Sequence, residues 1–144
     1  MSKTIELPGE FIGELNLRAL GPVELKAHPE SNGGRKQLWM CLTPFTYVSK
    51  RYGAITMEEG FISDLASIPW FGRTFIDDDD PNVLRPSMPH DVLYEYAGKL
   101  PDGRIFTRRQ ADDIILEGMV VMGAPERIKK TVMSAVRLFG GRLW

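Results

Sequence analysis

The spacing of apolar residues changes once along this chain, and that change constrains the fold more than any other feature. Up to about residue 62, apolar and polar residues alternate in short runs between turn signals, which is typical of strands with one buried face. After about residue 88, apolar residues recur every three or four positions, which is typical of helices. Strands followed by helices indicate an α+β protein. A length of 144 residues suits a single domain.

We expect the strands to lie within about residues 4–62 and to pair antiparallel, because their connections are short. Alternation marks residues 15–18 and again residues 22–26, and Ser31 to Gly34 form a strong turn signal. Residues 37–48 are rich in aromatic and β-branched side chains, with Pro44 at an edge or a bulge. Four or five strands are therefore predicted.

Three helices are predicted at about residues 88–97, 107–122 and 125–139. Pro89 fits the first turn of the first helix, and Gly98 marks its end. Thr107 and Gln110 have the spacing of a capping box at the start of the second helix, and Gly123 follows its end.

Composition excludes several classes of protein. A net charge of −1 gives no general reason to expect a nucleic-acid partner. No apolar run approaches the length of about 20 residues that spans a bilayer, so no integral membrane association is expected. The N-terminus lacks the apolar run of a signal peptide, which predicts synthesis in the cytoplasm. Cys41, the single cysteine, cannot form an intrachain disulfide and is predicted to be buried.

The segment from Pro89 to Tyr94 carries the main functional signal. It contains one of only two histidines, His90, directly followed by Asp91. Tyr94 lies one helical turn after His90, so both side chains are predicted on one helix face. With Pro89 in the first turn, Asp91 would lie near the positive end of the helix dipole.

A short connection between the first two helices would let them pack as an antiparallel hairpin. Asp112 would then lie opposite His90, where a carboxylate fixes the histidine tautomer and raises its basicity. Such a cluster can carry a proton, hold a metal, or serve as a buried hydrogen-bonded link between helices. The residue types alone do not distinguish between these three roles.

Other polar positions are weaker candidates. Asp64 and Ser67 follow a strand end, where sites are often built, although they also fit a capping role. The run from Asp77 to Asp80 is typical of a solvated loop and lacks the spaced ligands of a calcium loop. Asp113, next to Asp112, is a further weak candidate.

A zinc enzyme is not expected, because two histidines and one cysteine fall short of the usual ligand sets.

Several blocks of the sequence together resemble one known family, domain-of-unknown-function family 1353. The blocks are Trp39 to Val48, Gly60 to Pro69, His90 to Tyr94, Arg109 to Asp112, and Ser134 to Gly140. The resemblance covers about residues 37–140. It implies a bacteriophage or prophage protein, often encoded among virion genes. It also marks the shared polar positions Asp64, Ser67, His90, Asp91, Tyr94 and Asp112.

The segment from His90 to Tyr94, with Asp112 on the next helix, is also similar to the catalytic helix pair of phospholipase A2. That resemblance implies that His90 activates water, that Asp112 and Tyr94 orient it, and that Asp91 binds Ca²⁺. The chain departs from that enzyme in two ways. It lacks the glycine-rich calcium loop, and its one cysteine excludes the bracing disulfides.

Two functional hypotheses follow. The first is a virion-associated protein of the phage tail or baseplate, made in the host cytoplasm and bound to other virion proteins. Its His-Asp cluster would be architectural or would hold a divalent cation such as Ca²⁺ through Asp91 and Asp64. The second is a small hydrolase acting on lipid or cell wall, with His90 as general base and Asp112 and Tyr94 as its partners.

The C-terminus gives one further prediction. Leu143 and Trp144 lie beyond the glycines that end the third helix, and tryptophan is enriched at the energetic centres of interfaces. We therefore expect this tail to contact a partner subunit. The alternative is that Trp144 folds back onto the apolar stripe of the third helix.

Overall fold

A computed structural model describes residues 6–34, 37–63, 81–139 and 144. Its strands are β1 (Gly9–Ile12), β2 (Leu17–Ala19), β3 (Trp39–Cys41), β4 (Phe45–Ser49), β5 (Gly53–Met57) and β6 (Ile62–Ser63). Its helices are α1 (Pro22–Ala27), α2 (Pro81–Glu95), α3 (Arg108–Val121) and α4 (Glu126–Phe139), with a short 3₁₀ helix at Pro29–Ser31. The predicted α+β class is confirmed: antiparallel strands come first and the three longest helices follow.

The strands form two antiparallel sheets of three strands each, in the orders β1-β4-β5 and β2-β3-β6. In the first sheet, Phe11 pairs with Tyr47, and Tyr47 pairs with Ile55. Pro44 lies between β3 and β4, which belong to different sheets. The predicted interruption at Pro44 is therefore the point where the chain passes from one sheet to the other.

The strand predicted over residues 22–26 is wrong, because this segment is helix α1. Pro22 occupies its first turn, and the Glu24 carboxylate accepts hydrogen bonds from the Gly21 N–H at 3.1 Å and from Arg18 at 2.8 Å. These local bonds satisfy the helix start. Only Leu25 is buried and Val23 is 84% exposed, so the alternation of apolar residues that predicted a strand does not correspond to one buried face.

The main core lies between the first sheet and helices α2 and α3. Phe45, Tyr47, Ile55 and Met57 of the sheet pack with Met88, Leu93 and Ile114 of the helices. Cys41 is also buried there, as predicted. On the other side of α3, Ile115 and Met119 pack with Ile128, Val132 and Val136 of α4. These buried residues have the three- and four-residue spacing from which the helices were predicted.

Helix α2 starts earlier than predicted, at Pro81 instead of residue 88, and Pro86 and Pro89 lie inside it. An internal proline removes a backbone hydrogen bond and costs about 3 kcal/mol. Burial against α3 offsets that cost, since Met88 and Leu93 have no solvent exposure. Asp91 is therefore not near the positive end of the helix dipole, and that prediction is wrong. The predicted stop is close, since Gly98, at φ +81°, donates to Leu93 O.

Helices α2 and α3 run antiparallel, as predicted. Pro86 lies against Gly118, His90 bonds to Asp112, and Tyr94 contacts Arg108. A Cβ atom at Gly118 would lie 2.8 Å from Pro86 Cβ and 3.2 Å from Phe11 Cζ. Only glycine lets α2, α3 and β1 approach this closely, and this contact fixes the register that brings His90 opposite Asp112.

Candidate functional site

The residues of the candidate site converge on one oxygen atom. His90 and Tyr94 are one turn apart on α2, and Asp112 is in the second turn of α3. Asp112 Oδ1 lies 2.9 Å from His90 Nε2 and 2.8 Å from the Tyr94 hydroxyl. The predicted hydrogen-bond reach between His90 and a carboxylate is confirmed.

The His90–Asp112 pair is largely shielded from water. Their side chains are 12% and 9% exposed. A carboxylate only accepts hydrogen bonds, so Nε2 carries the proton that His90 donates to Asp112. Nδ1 of a neutral His90 ring therefore keeps its lone pair and is the nitrogen that could accept a proton from another molecule.

Tyr94 stabilises the His90–Asp112 pair by donating a hydrogen bond to the carboxylate. Burial raises the pKa of Tyr94 to about 12, the bond to Asp112 adds to the shift, and Arg108 opposes it. The hydroxyl therefore stays protonated near neutral pH and donates to Asp112. Its ring lies 4.2 Å from the His90 ring, centroid to centroid. Tyr94 thus restrains both the carboxylate and the imidazole.

Arg108 is a fourth member of the cluster that sequence reasoning missed. Its Nε is 3.4 Å from the Tyr94 hydroxyl and 4.0 Å from Asp112 Oδ2. Its Nη2 donates to the carbonyl oxygens of Val136 and Arg137 at 2.9 and 2.7 Å, in the last turn of α4. Arg108 therefore joins the site to the end of α4. The available signal was its position four residues before Asp112 in the capped helix.

Trp144 packs on its own chain next to the site. Its ring meets the Tyr94 ring at 80° with 5.0 Å between centroids, and it also lies against Gly98. The alternative predicted for Trp144, that it folds back onto its own domain, is confirmed in part, and contact with a partner subunit remains a prediction. Trp144 is half-buried on its own domain, but it covers the end of α2 and not the predicted stripe of α4. Leu143 lies outside the described residues.

The predicted metal ligands are not brought together in the described part of the chain. Asp64, Ser67 and the run from Asp77 to Asp80 lie outside it. Asp91 is half-buried and engaged in a contact of its own. Among the described residues, no group of three or more histidine, cysteine or acidic side chains could hold a metal ion. Calcium binding through Asp91 and Asp64 remains a prediction.

Asp113 belongs to a second polar cluster. The Tyr52 hydroxyl donates to Asp113 at 3.1 Å. Nearby, buried Glu117 accepts bonds from the Tyr47 hydroxyl and Ser49 Oγ, both at 2.8 Å, and from Arg51 at 3.2 Å. This cluster attaches α3 to the β4–β5 hairpin. Glu117 was missed in the sequence, although a charged residue inside the apolar stripe of a helix is a signal for it.

An open cleft of about 470 Å³ adjoins the candidate site where α3 begins and α4 ends. Arg108, Arg109, Asp112, Asp113 and Arg137 line it. Asp112 therefore has two neighbourhoods: His90 and Tyr94 on the α2 side, and the arginine-lined cleft on the other.

Comparison with known proteins identifies the family. Residues 39–136 match the family model described as "Protein of unknown function (DUF1353)". The chain belongs to this family. The DUF1353 match contains the whole His90–Tyr94–Asp112 cluster and Arg108, and it excludes β1, β2, α1 and Arg137. No curated protein and no solved structure matches the chain.

Proposed function

We propose that this DUF1353 protein is a small hydrolase in which His90 acts as the general base. The observation that carries the proposal is the joint hydrogen bonding of His90 Nε2 and the Tyr94 hydroxyl to Asp112 Oδ1, beside an open cleft. A base oriented by a buried carboxylate is the arrangement that activates water or a hydroxyl nucleophile.

The proposed reaction is the hydrolysis of an ester in lipid or cell wall. A water molecule gives its proton to His90 Nδ1 while its oxygen attacks the ester, and the leaving alkoxide takes that proton back. Asp112 stabilises the positive imidazolium that forms between these steps. Tyr94 acts as a positioning residue, because its raised pKa keeps it protonated and bonded to Asp112.

The test is a panel of soluble and lipid esters assayed with the parent and with His90→Asn. We expect the variant to lose about 10²–10⁴-fold in rate, the usual contribution of a general base. His28→Asn is the matched control, since His28 lies in an N-terminal turn, far along the chain from α2 and α3, and its side chain accepts a hydrogen bond from the Glu30 N–H. If His90→Asn remains folded and as active as the parent, the proposal fails.

A second candidate function is supported by the way the cluster joins three helices. Asp112 on α3 bonds to two residues of α2, and Arg108 bonds to the end of α4. Such a network can be purely architectural. Together with the phage and prophage origin that the family resemblance implies, it suits a virion-associated protein of the tail or baseplate with other virion proteins as partners.

Mass spectrometry of purified virions tests this second candidate. Finding the protein in intact particles at a fixed copy number relative to the tail proteins would support it. Finding it only in the infected-cell lysate would contradict it. The two functions are compatible, since a hydrolase can be carried in a virion, so the activity assay and the particle analysis give independent answers.

A further inference from the structure

The side chains that line the cleft beside Asp112 have a net positive charge. Its lining has three arginines and two aspartates, a net side-chain charge of 3 − 2 = +1. Both aspartates are already engaged: Asp112 with His90 and Tyr94, and Asp113 with Tyr52 at 3.1 Å and Arg51 at 4.0 Å. The carboxylates of the cleft are thus directed at other partners.

The excess charge comes from Arg109 and Arg137. Both are exposed, and in the part of the chain that the structure describes neither guanidinium has a hydrogen bond or ion pair. Arg108, by contrast, is held by two backbone carbonyls of α4. Its bonds bring the end of α4 against the start of α3, so Arg109 and Arg137 line one cleft from two helices.

We infer that this cleft binds a phosphate group of the substrate, with Arg109 and Arg137 as its ligands. Planar guanidinium groups bind phosphate oxygens in pairs, and two of them from separate helices suit a group with several anionic oxygens. A volume of about 470 Å³ is in the range of small-ligand sites. Asp112 lines the cleft and bonds to His90, so a phosphate bound there would share this one carboxylate neighbour with the base.

This assignment of the substrate class rests on the proposed hydrolase function, but binding can be tested without it. Titration calorimetry with inorganic phosphate, a soluble glycerophosphodiester and phosphatidylglycerol vesicles distinguishes free phosphate from a lipid headgroup. We expect saturable binding by at least one of them. We expect Arg109→Gln and Arg137→Gln each to weaken that binding by about tenfold or more, because each removes charge-assisted bonds.

Arg127→Gln is the matched control, an exposed arginine on α4 that does not line the cleft. It should bind like the parent. If it weakens binding as much as Arg109→Gln, the attraction is a general surface effect and the site is refuted. Absence of saturable binding by all three probes also refutes it. Thermal melts confirm that each variant is folded.

The same titrations in a His90→Asn background separate the two claims. Phosphate binding that persists in His90→Asn supports the cleft independently of the base. If the parent binds phosphate saturably but hydrolyses no ester, the cleft is supported and the proposed hydrolase is contradicted. Hydrolysis with a KM that Arg109→Gln and Arg137→Gln leave unchanged supports the hydrolase and contradicts the cleft as its substrate site.

Discussion

His90 Nε2 and Asp112 Oδ1 lie 2.9 Å apart, in a contact that joins α2 to α3 across 22 positions of the chain. The same oxygen also accepts the Tyr94 hydroxyl. A contact that links two core helices and also orients a histidine affects stability and chemistry together. Substitutions here therefore need both a stability measurement and an activity measurement.

His90→Ala should lower the free energy of unfolding by about 1–3 kcal/mol, because it leaves the largely buried Asp112 carboxylate short of a partner. Urea denaturation measures this change. His28→Ala should have a much smaller effect, since His28 caps only a short 3₁₀ turn. Equal stability of His90→Ala and the parent would show that the bond does not hold the two helices together.

Tyr94→Phe should make the stability of the protein less dependent on alkaline pH. The pKa of Tyr94 in the folded protein, about 12, exceeds the ordinary tyrosine value of 10.0, so folding favours the protonated hydroxyl. Its contribution is complete below pH 10 and is lost as the pH rises through 12. The parent should be more stable than Tyr94→Phe by about 1.5–3 kcal/mol at pH 7, with the difference shrinking from pH 10 to 12. A constant difference across that range would contradict this account.

Glu117→Gln should destabilise the fold without changing the activity of the folded protein. Glu117 is 5% exposed and accepts bonds from Tyr47, Ser49 and Arg51. Loss of these charge-assisted bonds should cost about 1.5–3 kcal/mol in chemical denaturation. Glu126→Gln, at an exposed ion pair with Lys129, is the control and should leave stability unchanged. A Glu117→Gln variant as stable as the parent would refute the structural role of this cluster.

Trp144→Ala should lower the stability of the isolated protein by about 1.5–3 kcal/mol, because it removes a half-buried ring from Tyr94 and Gly98. Tryptophan fluorescence during thermal unfolding measures the effect. An unchanged melting temperature would instead favour the partner-surface role that the sequence suggested.

Local signals in the sequence were sufficient for most of the helical half. The capping box at Thr107 and Gln110 is present, and the buried stripes of α3 and α4 follow their predicted periods. The start of α2 was not predictable from local rules, because tertiary burial of Met88 and Leu93 overrides the local cost of Pro86 and Pro89.

The part of the site that the sequence predicted is the part set by the spacing of its residues along the chain. One helical turn separates His90 from Tyr94, and a short connection set Asp112 opposite them. Arg108 and Glu117 were not predicted, because their partners are distant: carbonyls at the end of α4 and side chains of the β4–β5 hairpin. Such contacts depend on the packing of whole elements, which residue spacing does not encode.

Chemical rescue of His90→Ala by imidazole tests the central claim most directly. With an ester that the parent hydrolyses, we predict that the variant is folded and nearly inactive, and that added imidazole restores hydrolysis in a saturable way by taking the place of the missing base. Asp112→Asn, which keeps the His90 ring, should gain nothing from imidazole. A folded His90→Ala that hydrolyses the ester as fast as the parent, with no response to imidazole, would contradict the role of His90 as the general base.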